Sequence, residues 1–237
     1  MMSGIIDFHS HILPGVDDGS ATLEESIAFL RMEAEQGIRH VVATPHFYAR
    51  HDRPDRFLNR RRNAELLLRE QMQKYPDLPQ VSVGAEVYYF HGIGSSDAVL
   101  ELTIDEKRCI LIEMPHVTWT ESMYSELESI YTRYGLTPNI AHIDRYIKPF
   151  QARQVLKRLS ELPVLVQANA EFFLNRATGN MALRMLKKDQ IQLLGSDCHN
   201  LTDRKPNLDA GIKKLEKKLG RDAAQEIIAL TDDALND

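Results

Sequence analysis

The chain has only two cysteines in 237 residues, Cys109 and Cys198, far apart and in no CxxC pair. That excludes a zinc knuckle and a disulfide framework, so any metal site must be built from nitrogen and oxygen ligands. No apolar run approaches the roughly 20 residues needed to cross a bilayer, so the protein is not expected to be membrane-embedded. Positive charge is not in excess either. The formal net charge of −5 leaves no broad basic surface, and nucleic acid is not expected as a partner. The stretch from Met1 to Ile6 shows neither a charged leader nor a long apolar segment, so a cytoplasmic location is expected. Internal repeats and Ser/Gly-rich linkers are also missing, and at this length a single domain over residues 1–237 is expected. With 43% hydrophobic residues that domain can bury a sizeable core.

What the chain does have is seven short apolar stretches that read as strands, alternating with helical patterns. They begin near Ile5, His40, Val81, Cys109, Pro138, Pro163 and Ile191. Between the first two, a capping box from Thr22 to Glu25 opens a helix that Gly37 closes. A second helical pattern covers about residues 55–75, and the segment from Leu208 onward is largely helical. This rhythm predicts an α/β fold, a distorted seven-stranded (βα)7 TIM-like barrel.

Six of the seven stretches end in a His, Asp or Glu: IIDFHSH, HVVATPH, SVGAEV, ILIEMP, NIAHI and LLGSDCH. The residues are His9, His11, His46, Glu86, Glu113, His142, Asp197 and His199. Parallel strands in such folds carry their chemistry at their carboxyl ends, so donors scattered in sequence can converge at one mouth. Side chains two apart on a strand share a face, which pairs His9 with His11 and Asp197 with His199. With Asp18 the candidates number nine, more than one catalytic zinc uses, so two or three divalent metals are implied. Imidazole and carboxylate without thiolate suit manganese, zinc, iron or cobalt, with manganese favoured. His40, His51, His91 and His116 are read as ordinary structural or surface histidines. Asp17 and Asp18 are adjacent, and spacing alone does not choose between them.

DFHSHILPGVDDG, VVATPHF, VGAEVYY, LIEMP, IAHIDRY and LLGSDCHN, in this order from Ile5 to Arg204, resemble the bacterial metal-dependent tyrosine phosphatases of the polymerase and histidinol phosphatase (PHP) family, CpsB/YwqE type. The resemblance implies a PHP fold with a trinuclear site and selects Asp18 rather than Asp17. By it, Glu86 would bridge two metals. His9, His11 and Asp197 would complete one ion, Glu113 and His142 a second, and Asp18, His46 and His199 a third. Arg145 in HIDRY and Arg204 after SDCHN match the family's phosphate-binding arginines. The implied substrate is a phosphotyrosine protein, the tail of a bacterial tyrosine kinase controlling capsule or exopolysaccharide synthesis. The chain departs from commoner members in NAEFFLNRATG, residues 169–179.

The chemistry implied is hydrolysis of phosphotyrosine by metal-activated water, with Arg145 and Arg204 clamping the phosphoryl oxygens. A phenolate leaving group of pKa about 10 reduces the need for a general acid, and none is assigned. Cys198 and Arg204 also show the C-x5-R spacing of thiolate phosphatases, but HNLTD has no glycine to wrap a phosphate. An amidohydrolase would use a strand-end lysine that is missing here. A histidinol-phosphate phosphatase shares the same hydrolytic core, and a structural cluster in a regulator would need no turnover. Arg50, Arg53, Arg56, Arg60, Arg61 and Arg62 form either an electrostatic lure for acidic peptides or a solvated helix face paired with Asp52, Asp55 and Glu65. Tyr88, Tyr89, Phe90 and Trp119 either stack on the substrate ring or pack the rim.

Overall fold

The computed structural model describes residues 4–147 and 152–236, so Met1 and its two successors lie outside the described residues. Helices and parallel strands alternate along the chain. The strand segments are β1 (Ile5–Ser10), β2 (Ile38–Ala43), β3 (His46–Phe47), β4 (Gln80–Val83), β5 (Glu86–Tyr88), β6 (Cys109–Glu113), β7 (Thr137–Ile140), β8 (Leu165–Asn169) and β9 (Leu193–Gly195). The helices are α1 (Leu23–Glu35), α2 (Pro54–Met72), α3 (Glu121–Tyr134), α4 (Ala152–Leu159), α5 (Ala170–Leu174), α6 (Gly179–Leu186), α7 (Leu208–Leu219) and α8 (Arg221–Asn236).

Where seven strands are expected, nine segments are found in two sheets, ordered β1-β2-β4 and β3-β5-β6-β7-β8-β9. The extra divisions fall at Pro45 and Gly84. Proline offers no N–H to a ladder. Hydrogen bonding nevertheless runs through both gaps, with Gly84 N donating to Ala43 O at 2.9 Å and Glu86 N to Pro45 O at 3.0 Å. The chain after β9 also returns to β1: Asp197 N donates to His9 O at 2.8 Å, and His11 N to Cys198 O at 3.0 Å.

The local signals in the sequence act as expected, with small shifts. Thr22 caps α1, its Oγ1 accepting from Glu25 N at 3.2 Å, but the Glu25 carboxylate reaches Ala21 N rather than Thr22 N, so the capping box is offset by one residue. Gly37 turns the chain with φ +80° just past the end of α1, a conformation that costs glycine little. Helix α2 starts at Pro54, whose fixed φ suits a first helical turn, and stops at Met72, short of the expected residue 75. The helices bury apolar stripes on the strands, as α1 does with Ile27, Phe29 and Leu30. A smaller cluster joins Ile6, Phe8, Leu111 and Leu193 to Leu235 of α8, so the carboxy-terminal helix is part of the core.

Strand β1 carries the irregularity that matters most for the site. Asp7 pairs with Val41 and Ser10 with Ala43, so three steps on β1 face two on β2. One extra residue in a strand is a β-bulge, and bulges re-aim side chains. Here Asp7 faces Glu33 of α1, whereas His9 and His11 face Glu86 and Asp197. Alternation alone would have put all three on one face.

Candidate metal centre

Strands β1, β3, β5 and β6 and the loops after β1, β7 and β9 bring the nine expected donors together. His9 Nε2 lies 3.1 Å from His11 Nε2, 3.3 Å from Glu86 Oε2 and 3.6 Å from Asp197 Oδ1. His46 Nδ1 lies 2.9 Å from Glu86 Oε2 and 4.0 Å from Glu113 Oε2. His142 Nε2 approaches Glu86 Oε1 to 2.6 Å and Glu113 Oε1 to 3.9 Å. Asp18 Oδ1 is 3.5 Å from His46 Nε2 and 3.6 Å from His199 Nε2. Glu86 sits at the middle, touching four imidazoles. By distance, three overlapping sets of donors could each hold an ion: His11, Asp18, His46 and His199; His9, His11 and Glu86; His46, Glu86 and Glu113. His11 and His46 thus belong to two sets each, a less tidy division than the resemblance implies.

The positions of the donors on the strands differ from simple strand ends. His46 and Glu86 open β3 and β5, and Glu113 ends β6. His142 and Asp197 each lie two residues past a strand, with φ of +33° and +54°. Asp197 and His199 therefore do not share a pleat face, as their spacing had suggested. The left-handed turn at Asp197 brings them together instead. Gly195 lies directly under His9: a Cβ there would sit 2.6 Å from His9 Cβ, so only glycine fits.

The electrostatics show that this donor set calls for cations. Glu86 and Asp197 are buried, which raises a carboxylate pKa, yet the surrounding imidazoles hold both well below the usual range. Burial lowers an imidazole pKa, but Glu86 and Asp197 overcome it at His9, and Asp17 with Asp197 and Glu86 at His11, favouring the positive forms. Glu113 is pushed up to about 7 by burial and by the charge of Glu86. Buried carboxylates this close need positive charge among them, supplied by protons on the histidines or by metal ions in their place. Four buried atoms of the cluster also make no well-aligned hydrogen bond: Glu113 Oε2, His199 Nε2, and His46 Nδ1 and Glu86 Oε2, which oppose each other at 2.9 Å. Buried polar atoms rarely stay unsatisfied. The residues fit a group of divalent cations.

Two guanidiniums close one side. Arg145 Nη2 lies 2.5 Å from Asp197 Oδ2, with its Nη1 3.6 Å from Glu113 Oε1, and Arg204 Nη2 lies 3.1 Å from Asp197 Oδ1. Both side chains remain partly exposed at the mouth.

The adjacent aspartates separate cleanly. The Asp17 side chain is nearly buried and accepts from His11 Nδ1 at 2.7 Å, His46 N at 2.9 Å and Gly19 N at 3.0 Å. It fixes the His11 ring, leaving Nε2 toward the cluster, as partners of metal-binding histidines commonly do. Asp18 is largely exposed and faces His46 and His199. Three further supports escaped the sequence reading. Gln167 Oε1 accepts from His142 N at 2.6 Å, Asn169 Nδ2 donates to Asp197 Oδ2 at 2.9 Å, and the Tyr146 hydroxyl lies 3.2 Å from His142 Nδ1. Gln167 and Asn169 alternate at the end of β8, the same polar alternation that marked HxH in β1. That signal was available. Asn169 also opens the divergent 169–179 segment, so that segment contributes to the site at its first residue.

The four set-aside histidines stay outside the donor sets: His40 bonds Ser82, His91 pairs with Glu126, and His51 and His116 are exposed. Cys198 is fully buried, and burial, with Glu33 and Asp7 nearby, pushes its thiol well above its ordinary pKa. It is a poor nucleophile. Trp119 is buried, donates to Pro115 O and packs on Tyr124 and Tyr146, so it belongs to the rim rather than to a substrate ring. In the arginine-rich segment Arg53 pairs with Asp55 and Arg60 with Asp52, while Glu65 pairs with Arg69, outside the expected set.

A family model for capsular polysaccharide synthesis proteins, CpsB/CapC, matches residues 5–235. The chain belongs to the CpsB/CapC family. Among proteins of similar sequence is the tyrosine-protein phosphatase CpsB of Streptococcus pneumoniae, 30% identical over 240 residues and 94% of each chain. The tyrosine-protein phosphatase YwqE of Bacillus subtilis is 29% identical over 91% of this chain and 85% of its own. A crystal structure from a study of YwqE and the pneumococcal CpsB, described as unique metal-dependent tyrosine phosphatases, is similar with a TM-score of 0.87. It is 25% identical in sequence, over 98% of this chain and 94% of the other. The likeness covers nearly the whole CpsB/CapC chain, so the motifs in β1, β3, β5, β6 and the loops after β7 and β9 lie within it.

Proposed function

We propose that the protein is a metal-dependent protein-tyrosine phosphatase that hydrolyses phosphotyrosine, on the tail of a bacterial tyrosine kinase that governs capsule or exopolysaccharide synthesis. The observation that carries this reading is the convergence of nine imidazole and carboxylate donors, four of them with buried atoms that make no well-aligned hydrogen bond, beside two guanidiniums. Relatives over almost the full chain bear that activity in their names. In this reading the nine segments form seven runs, a distorted (βα)7 TIM-like barrel of PHP type. The whole of residues 1–237 is one phosphatase domain, acting in the cytoplasm.

His9, His11, Asp18, His46, Glu86, Glu113, His142, Asp197 and His199 would hold two or three divalent ions, with manganese favoured over iron, zinc or cobalt. When bound, such ions neutralise phosphate charge and activate water near pH 7. The chain's own residues do the rest. Glu86 joins the donor sets and keeps them at fixed separation. Asp17 and Gln167 orient His11 and the His142 backbone. Arg145 and Arg204 each keep guanidinium N–H groups at the mouth, where planar, permanently charged donors match phosphoryl oxygens. No side chain is assigned as general acid, because a tyrosine phenolate leaves unaided more readily than an alkoxide.

The test pairs elemental analysis of purified protein with turnover of a phosphotyrosine peptide and of histidinol phosphate. His9→Ala and Glu86→Ala should remove metal and turnover together, and the peptide should be the better substrate. Metal-free wild-type protein that still turns over the peptide would refute the mechanism. Preference for histidinol phosphate would reassign the substrate.

A further inference from the structure

A cavity of about 580 Å³ opens beside the metal centre, with Asp18, His46 and Tyr48 on the near side and Asp52, Arg56 and Arg60 of the α2 region on the far side. The charges on its walls are mostly committed. Arg60 Nη2 is bound to Asp52 Oδ2 at 2.7 Å and its Nε to Val16 O. Asp17, also on the wall, is held by His11 and two backbone amides. Asp18 faces the two imidazoles. Arg56 is different. It is exposed and, among the described residues, has neither an ion pair nor a hydrogen bond. Tyr48 lines the same cavity next to the centre, half-exposed, its ring 5.2 Å from His46 and 5.5 Å from Tyr88. The sequence leaves Tyr88, Tyr89, Phe90 and Trp119 open between stacking on the substrate ring and packing the rim; the exposed ring next to the centre is Tyr48.

We infer that this cavity receives the peptide flanking the phosphotyrosine, with Arg56 pairing an Asp or Glu side chain near the phosphorylated residue and Tyr48 packing on the chain between them. The inference rests on the phosphatase reading and adds a substrate class to it: acid-flanked phosphotyrosine. The pairing is exposed, so its contribution is modest, a few-fold in KM, and it shrinks as salt screens it.

The test uses phosphotyrosine peptides carrying Asp or Glu beside the phosphotyrosine and matched peptides with Asn or Gln there. Each enzyme's rates are referred to its own turnover of 4-nitrophenyl phosphate. Wild type should favour the acidic peptides by about two- to fivefold in kcat/KM at low ionic strength, through KM. Arg56→Lys should keep that ratio above one, Arg56→Ala should bring it to one, and Arg56→Glu should invert it. A ratio of one in wild type, or a ratio unmoved by Arg56→Glu, overturns the inference while leaving the phosphatase reading intact. Failure of the wild-type, metal-loaded enzyme to turn over either 4-nitrophenyl phosphate or any peptide overturns both.

Discussion

Replacing Asp17 by Asn tests whether the two adjacent aspartates divide the work as their contacts indicate. Oδ2 of Asp17 takes two donors, His11 Nδ1 and His46 N, and Oδ1 takes Gly19 N. An amide has one acceptor oxygen. If it turns that oxygen to the two donors, its NH2 faces the Gly19 N–H; if it turns the other way, the NH2 faces His11 and His46. Either way, at least one buried N–H is left opposed to another, at a cost of about 1–3 kcal/mol. Nothing can shift to relieve this at Gly19, since the backbone there packs so tightly on His11 that a Cβ would lie 2.2 Å from its carbonyl oxygen. Expressed as weaker metal binding, that cost is about five- to 150-fold in Kd, which brackets the 10–100-fold usual for residues that orient a metal-binding histidine.

The assay is a Mn2+ titration of metal-stripped protein, followed by calorimetry and by turnover as a function of free metal. Asp17→Asn should raise the metal Kd within that range and regain most of the wild-type kcat at saturating metal, because no donor is removed. Asp18→Asn should lose part of the metal content and not recover at any concentration. Wild-type affinity in Asp17→Asn would show that the hydrogen bonds to His11 and His46 do not prepare the site. Complete loss of metal would show that Asp17 is itself a ligand, and the division of roles would fail.

Arg145→Ala should keep its metal by elemental analysis and lose about 10²–10³ in kcat, roughly 2.7–4 kcal/mol, if its guanidinium stabilises charge on the phosphoryl group; metal loss in step with activity would assign it to holding Asp197 instead. Cys198→Ser should keep its turnover, and a chelator should abolish that turnover, since the buried thiol lies against Asp7 and Glu33 rather than at the mouth; an inactive, folded, metal-loaded variant would restore the thiolate mechanism. Glu33 is fully buried, and burial, then the charge of Asp7, raises its pKa well above 4.5, so the folded state keeps a proton that the unfolded chain releases. Stability is therefore highest below pH 4.5 as far as this group is concerned and falls as pH rises toward the folded pKa, by about 1.4 kcal/mol for each unit between the two values. Glu33→Gln should flatten the fall of Tm that sets in as pH rises above about 4.5, and melting curves that run parallel to wild type would refute the assignment.

How much of this was legible in the sequence depends on whether a signal was local. Thr22 and Gly37 mark the two ends of α1 through their own backbone chemistry, and the structure places those ends within a residue or two. The donor residues were legible because each closes or follows a short apolar run, and parallel topology collects such positions. Asp17 and Asp18 were not separable, because what distinguishes them is which way each side chain faces across the loop, toward His11 or toward His199. Gln167 and Asn169 show in the sequence only as a polar alternation at the end of β8; which groups they hold, the His142 backbone and the Asp197 carboxylate, is set by loops that lie far from them in sequence. The Asp7–Glu33 contact was hidden for a related reason: it requires the bulge in β1, and the pairing register that creates a bulge is a property of two strands.

The backbone at His142 and Asp197 shows how the strand-end candidates come together even where strand geometry alone would part them. Five described non-glycine residues have positive φ, and two of them are these donors. A left-handed histidine or aspartate costs of the order of 1 kcal/mol, so the surrounding contacts must hold it. They do: His142 N is bound to the Gln167 side chain, Asp197 N to His9 O, and the Asp197 carboxylate to Asn169, Arg145 and Arg204. An extended continuation of β7 or β9 would send these side chains out along the pleat. The left-handed turn folds them back over Glu86 and His9. The same residues that hold the strained turns, Gln167, Asn169 and the two arginines, therefore set the size and charge of the centre, which makes its preorganisation a property of β8 and the mouth rather than of the donors alone.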